Sequence, residues 1–237
     1  MILVICEPED TCGLWLVTEI SKRGCAVEHV LPDELVVGAR FSVRVANQHD
    51  IVSADLADGR RIDGSTLVGV INRMHDFPSP MYNGTSDRDT VYASEEVRAA
   101  VVAWFAGLPC PVLNTPTPYS AIGLMVHESL WRQRANMLGL RVATLKVEQE
   151  AFTSQPKNYS VVVVGETVLT AEEKPVPLSM SEASIALSHS MGLRLVELEF
   201  NIKTSGEWEF LRACLTPDLT SLGPTVLDAL LRELEER

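Results

Sequence analysis

The stretch that decides the fold is the N-terminal ILVIC (2–6), followed by EPEDTCGLWLVTEISKRG (7–24) and CAVEHVL (25–31). Residues 2–6 are an unbroken apolar run stopped by Pro8, the pattern of a strand buried on both faces. Leu14, Val17 and Ile20 then fall at helical spacing, and Gly24 ends that segment. Residues 25–31 read as a second strand closed by Pro32. Strand, helix and strand in so short a length make a βαβ unit, hence a parallel pair joined by a right-handed crossover. The first turn, Glu7-Pro8-Glu9-Asp10-Thr11-Cys12-Gly13, carries three acids and one glycine. A turn that grips a dinucleotide phosphate needs glycines and little negative charge, so NAD or FAD is not expected there.

Working outward, the 237 residues carry 20 Lys and Arg against 32 Asp and Glu, a net charge of −12, and 46% are hydrophobic. Such a chain can bury a core, and its acidity argues against a nucleic-acid or anionic-membrane partner. Apolar runs are of strand length only, and the N-terminus reads as a strand rather than a secretion signal, so a cytoplasmic protein is expected. The five cysteines, Cys6, Cys12, Cys25, Cys110 and Cys214, show no metal-ligand spacing and read as small buried hydrophobes.

Phe41, Val43 and Val45 alternate onto one face, and residues 51–56 meet Arg61-Ile62 across Asp58-Gly59 as a hairpin. LVGVIN (67–72) is another buried strand, ending at Arg73 and followed by a loop over His75–Asp89. Ser94 is read as the cap of a helix bearing Val97, Val101, Trp104 and Leu108. CPVLN (110–114) is a short strand, and Leu124, Trp131, Ala135 and Leu138 mark a helix that Gly139 ends. Beyond it come strands at 141–147, 159–165 and 167–170, a helix capped by Ser181, and a hairpin of Leu193–Phe200 with Glu207–Cys214. A last helix carries Val226, Leu227, Leu230, Leu231 and Leu234.

Several residues invite a chemical reading. Arg73, at the C-terminal end of a strand, suits a substrate carboxylate or phosphate, or an ion pair with Asp76, Asp87 or Asp89. His75 is placed for a general base, although no partner acid is identifiable and a solvated loop histidine is the simpler reading. His127-Glu128 is half of a zinc-protease motif, but Trp131 replaces the second histidine, so Glu128 and Arg132 read as a helical ion pair. Glu197, Glu199, Glu207 and Glu209 alternate, which puts them on a solvated sheet face unless they gather a cation.

The ordered set Arg73, the 74–91 loop, Tyr92 with Glu95-Glu96, Trp104, Pro111-Val112-Leu113-Asn114, Ala121-Ile122-Gly123 and Trp131 resembles the ATP-grasp superfamily. The likeness is to its RimK-like and peptide-modifying ligases. The fold this implies is α/β: a Rossmann-like pre-ATP-grasp domain over 1–120, then a reduced α+β ATP-grasp-like domain over 121–237. Residues 161–168 resemble that family's later strand pair. The resemblance places Glu197 or Glu199 near the acidic metal ligand, and Glu209–Leu219 where the family writes Glu-x-Asn-x-x-Pro.

At that motif Arg212 stands for the ligand Glu and Cys214 for the ligand Asn. Mg²⁺ takes hard oxygen ligands, which a guanidinium and a thiol do not supply. A fixed positive charge there repels the ion by about 4 kcal/mol per unit charge at 4 Å and an effective dielectric of 20. About a dozen residues separate Val147 from Tyr159, where the family carries a lid subdomain, leaving Lys146 and Lys157 as the nearby candidates for ATP phosphates. The resemblance therefore implies a degenerate ATP-grasp-like protein, a pseudoenzyme that binds a peptide or a full-length ATP-grasp ligase. Two alternatives stand beside it. One is an ATP- and Mg-dependent carboxylate–amine ligase using Glu197, Glu199 or Asp218 for the metal, and the other is a homodimeric structural protein.

Overall fold

The computed structural model describes residues 1–45, 51–79, 86–124, 126–143, 159–172, 175–203 and 207–235. The chain divides into two units, Met1–Leu124 with Leu230–Arg237, and Met125–Ala229.

The first unit begins with β1 (Ile2–Ile5), α1 (Thr11–Lys22) and β2 (Val27–Val30), and β1 and β2 are parallel as the βαβ reading requires. The face of α1 is rotated from expectation. Cys12, Gly13, Leu16 and Ile20 are buried, while Leu14 is 38% exposed. A short helix α2 (Pro32–Val36) follows, started by Pro32, whose fixed φ suits the first helical position. Then come β3 (Arg40–Arg44), β4 (Ile51–Asp55) and β5 (Arg61–Asp63), an antiparallel sheet in the order β3-β4-β5. The Asp58-Gly59 turn forms as read, with Gly59 at φ +89°.

Strand β6 (Gly69–Asn72) lies parallel to β1 on the side away from β2. The long helix α3 runs over Asp87–Ala106 and does not begin at Ser94. Ser86 caps it, its Oγ accepting from Asp89 N at 3.2 Å, with Asp87 and Asp89 in the first turn, where the helix dipole favours acids. Ser94 instead lies inside the helix and donates to the carbonyl of Thr90 at 2.8 Å. Strand β7 (Val112–Leu113) completes the parallel sheet in the order β2-β1-β6-β7. Its core joins Leu3, Ile5, Val30, Val70, Val101, Trp104 and Phe105.

The second unit holds α4 (Glu128–Met137), which buries Trp131 and Ala135 and is followed by Gly139 at φ +80°. Strands β8 (Tyr159–Val164) and β9 (Thr167–Leu169) come next, then α5 (Leu178–Ser190). The cap of α5 is Pro177, so Ser181 is an interior residue and not the cap. Strands β10 (Leu195–Ile202) and β11 (Trp208–Cys214) form the expected antiparallel hairpin, and the sheet order is β11-β10-β8-β9. Of the expected strand at 141–147 the described part is a single parallel bridge, Val142 to Phe210, and the rest lies outside the described residues. Helix α6 (Pro224–Glu235) ends the chain. Within the first unit, Gly69 owes its identity to α6, because a Cβ there would collide with the Leu234 side chain.

The chain is thus α/β, with a parallel Rossmann-like sheet in one unit and an antiparallel sheet in the other. Among the described residues no helix is long and apolar enough to cross a membrane.

Candidate functional site

Strand β10 is interior to its sheet, and its side chains alternate between two covered faces. Val196, Leu198 and Phe200 point into the core with Val161, Val163 and Phe210. Leu195, Glu197 and Glu199 lie on the other face, yet Glu197 and Glu199 are only 7% and 4% exposed. The expectation of a solvated acidic face fails for these two, because alternation tells which residues share a face but not whether that face meets water.

A buried carboxylate needs a counter-charge or hydrogen bonds. The register supplies one for Glu199, since β11 sets Arg212 directly opposite it. Arg212 Nε donates to Glu199 Oε2 at 2.8 Å. That hydrogen bond, outweighing the partial burial of the guanidinium, pushes the Arg212 pKa up and keeps the cation charged. Cys214 stands opposite Glu197 in the same ladder. Glu197 and Asp218 line one small cavity of about 110 Å³ with Ser160, Thr170 and Ser221. Asp218 Oδ1 is engaged locally, accepting from Thr220 N at 3.0 Å and from Thr220 Oγ1 at 2.6 Å.

The structure therefore gathers Glu197, Glu199, Arg212 and Cys214 on adjacent strands, with Asp218 at the cavity that Glu197 lines. At Glu199 this donor set does not fit a magnesium ion, because the Arg212 guanidinium already neutralises the buried carboxylate. No cluster of three or more His, Cys, Asp or Glu able to hold a metal occurs among the described residues. Lys146 and Lys157, with the segment expected in place of a lid, lie outside the described residues.

The first unit brings together a second polar group at the C-terminal ends of β1 and β6. Arg73 is 4% exposed and its carboxylate partner is Asp10, not Asp76, Asp87 or Asp89. Arg73 Nε donates to Asp10 Oδ2 at 2.6 Å and the Nη2 to Oδ1 at 3.1 Å. Asp10 also caps α1, accepting from Gly13 N at 3.0 Å. Burial pushes the Asp10 carboxyl up, but the Arg73 bonds and the Gly13 N–H outweigh it and hold the group below its ordinary value. The turn's acidity thus serves a side chain 63 positions away, a pairing that nothing local in the sequence marks. Cys6 Sγ lies 3.2 Å from His29 Nε2, and burial followed by the Asp10 charge pushes its thiol up to about 12. A thiol held that high carries almost no thiolate at neutral pH. His75 is exposed on the loop beyond. In the second unit the expected helical pair is present, with Arg132 Nε donating to Glu128 Oε1 at 3.0 Å.

Compared with solved structures, the chain superposes over nearly its whole length on peptide-modifying ligases. The macrocyclase MdnC of Microcystis aeruginosa MRC, bound with the precursor peptide MdnA, matches with a TM-score of 0.71 and 14% identity, covering 98% of each chain. The fold is ATP-grasp-like. The Chryseobacterium gregarium RiPP-associated ATP-grasp ligase, in complex with ADP and a leader and core peptide, gives a TM-score of 0.69 at 13% identity, over 98% of this chain and 96% of that one. The D-alanine–D-alanine ligase of Aeromonas hydrophila gives 0.52 at 13% identity, over 100% and 99% of the two chains. No protein-family model and no curated protein matches the sequence. Within that fold, Arg212 and Cys214 sit on one sheet face beside the two buried glutamates.

Proposed function

We propose that this chain is an ATP-grasp-fold protein that does not ligate, and that it acts by binding a peptide or a full-length ATP-grasp ligase. The observation that carries this reading is the ion pair of Arg212 with the buried Glu199. A carboxylate neutralised from within the sheet does not need a divalent cation, and a fixed guanidinium beside it opposes one. The peptide half of the reading is supported by neighbours of the same fold that were solved with precursor, leader or core peptides. A cytoplasmic location belongs to the same proposal and accords with five cysteines that form no disulfide.

A second reading, an ATP- and Mg-dependent carboxylate–amine ligase, is favoured by one observation, that Glu197 and Asp218 line a common polar cavity. Thermal unfolding with Mg-ATP, repeated with EDTA, separates the two. Saturating ligand at ~100 times its Kd stabilises by about 2.7 kcal/mol, a rise of roughly 5–10 °C for a chain of this size. The proposal expects no metal-dependent rise, and no ADP formed when a candidate peptide is added. A metal-dependent rise, with ADP and phosphate formed as the peptide loses water, would establish the ligase instead.

A further inference from the structure

Strand β3 is the outermost strand of its sheet, and among the described residues no strand pairs with its far edge. Alternate residues of an edge strand direct N–H and C=O groups outward, ready to pair with another chain. No hydrogen bond to the outer edge of Arg40–Arg44 is made among the described residues. Phe41 and Val43 share a face with the buried Val52 and Ala54; Phe41 packs 6.0 Å from Trp104 and anchors the strand to the core, while Val43 is 43% exposed. Arg40, Ser42 and Arg44 occupy the opposite face and are exposed.

Neither arginine makes an ion pair among the described residues. Asp55, which stands opposite Arg40, accepts at Oδ1 from Arg61 Nη1 at 2.6 Å. Two cations without an acidic partner among the described residues thus stand on one edge of a chain whose net charge is −12. Spaced four residues apart, they lie on the same face roughly 13 Å apart along the strand. Self-pairing does not suit them. Two antiparallel copies of β3 related by a two-fold axis would gather four guanidiniums on one sheet face, and like charges facing across strands are destabilising. An extended chain with carboxylates at the same spacing satisfies both the backbone edge and the charges.

We propose that the free edge of β3 is a strand-addition site for an extended acidic peptide, whose backbone pairs with the edge and whose carboxylates at positions i and i+4 meet Arg40 and Arg44. This names the chemistry of the peptide partner under Proposed function and rests on that reading only in taking a peptide to be the ligand. The bonds to the edge supply affinity, and the two arginines select the acidic sequence and its register.

The test uses the full chain and a fluorescein-labelled peptide, Thr-Glu-Val-Thr-Val-Glu-Val, followed by anisotropy at low ionic strength. Saturable binding is expected, about tenfold weaker for R40E/R44E, which should then prefer the peptide with Lys in place of Glu. Both residues are exposed, so an unchanged unfolding midpoint shows that the variant remains folded. N-methylating one alternate set of peptide amides should abolish binding, and methylating the other set should leave it intact. The proposal is overturned if the wild type does not bind, if the charge reversal changes nothing, or if neither methylated series loses affinity. It is overturned as well if β3 proves to be buried in a dimer of the chain that the peptide cannot open. Turnover with Mg-ATP bears on ligation alone, so failure here and failure of the non-ligating reading give different results.

Discussion

Replacing Arg212 with Met keeps an apolar stem but removes the charge that faces Glu199. The Glu199 side chain is 5% exposed and that of Arg212 is 56% exposed, so the two partners of the bond are unlike. Stranding a fully buried carboxylate costs about 3–5 kcal/mol. Water around the exposed guanidinium already screens the pair, which reduces the expected loss to about 2 kcal/mol. At roughly 2–4 °C per kcal/mol for a chain of this length, the unfolding midpoint should fall by about 4–8 °C. The reverse deletion, Glu199→Gln, leaves an arginine that water can solvate and should cost less than about 1 kcal/mol. In the double variant the two losses should not add, giving a coupling of about 1–2 kcal/mol. Urea unfolding of the wild type and the three variants measures all of these. If Arg212 holds the place of a cation, Mn²⁺ at millimolar concentration should stabilise R212M and leave the wild type unmoved. Equal costs for the two single changes, zero coupling, or stabilisation of the wild type by Mn²⁺ would refute the reasoning.

Two further outcomes follow from the first unit. Asp10→Asn keeps the cap on α1 but leaves the Arg73 guanidinium buried without its charge partner, and should cost about 3–5 kcal/mol in urea unfolding. The Asp10 carboxyl is held below its ordinary value of 3.8, so its stabilisation is complete above that value and is lost as pH falls through the lower, folded-state value. The wild type should therefore lose stability in acid more steeply than D10N, and parallel pH profiles would count against the pair. Cys6, pushed up to about 12, should resist a thiol reagent at pH 8 in the native protein and react once the chain is unfolded. Mass spectrometry of the labelled peptides checks this, and rapid native labelling of Cys6 would show that the thiol is open.

Where chain-local chemistry decides, the sequence alone was enough. The apolar run at 2–6, the helical spacing after it and the closing glycine determine a βαβ unit, and β1 and β2 are parallel. Asp58-Gly59 determines a hairpin because one residue must take a positive φ, and Gly59 does so at +89°. The same reasoning placed β10 against β11, and with them Arg212 and Cys214 on the strand beside Glu197 and Glu199.

Other features belong to tertiary structure. A helix start depends on which of several caps the chain can use, and Ser86 with Asp87 and Asp89 prevailed over Ser94 because nothing between them breaks the helix. Alternation assigns Glu197 and Glu199 to one face, but only the packing over that face removes the water and makes Arg212 a necessary counter-charge. Arg73 could be seen at a strand end, while its partner, Asp10, is set by two parallel strands bringing their C-terminal ends together. A sequence records the charges and their local spacing. Which charges meet, and whether water reaches them, is decided when distant segments fold against one another.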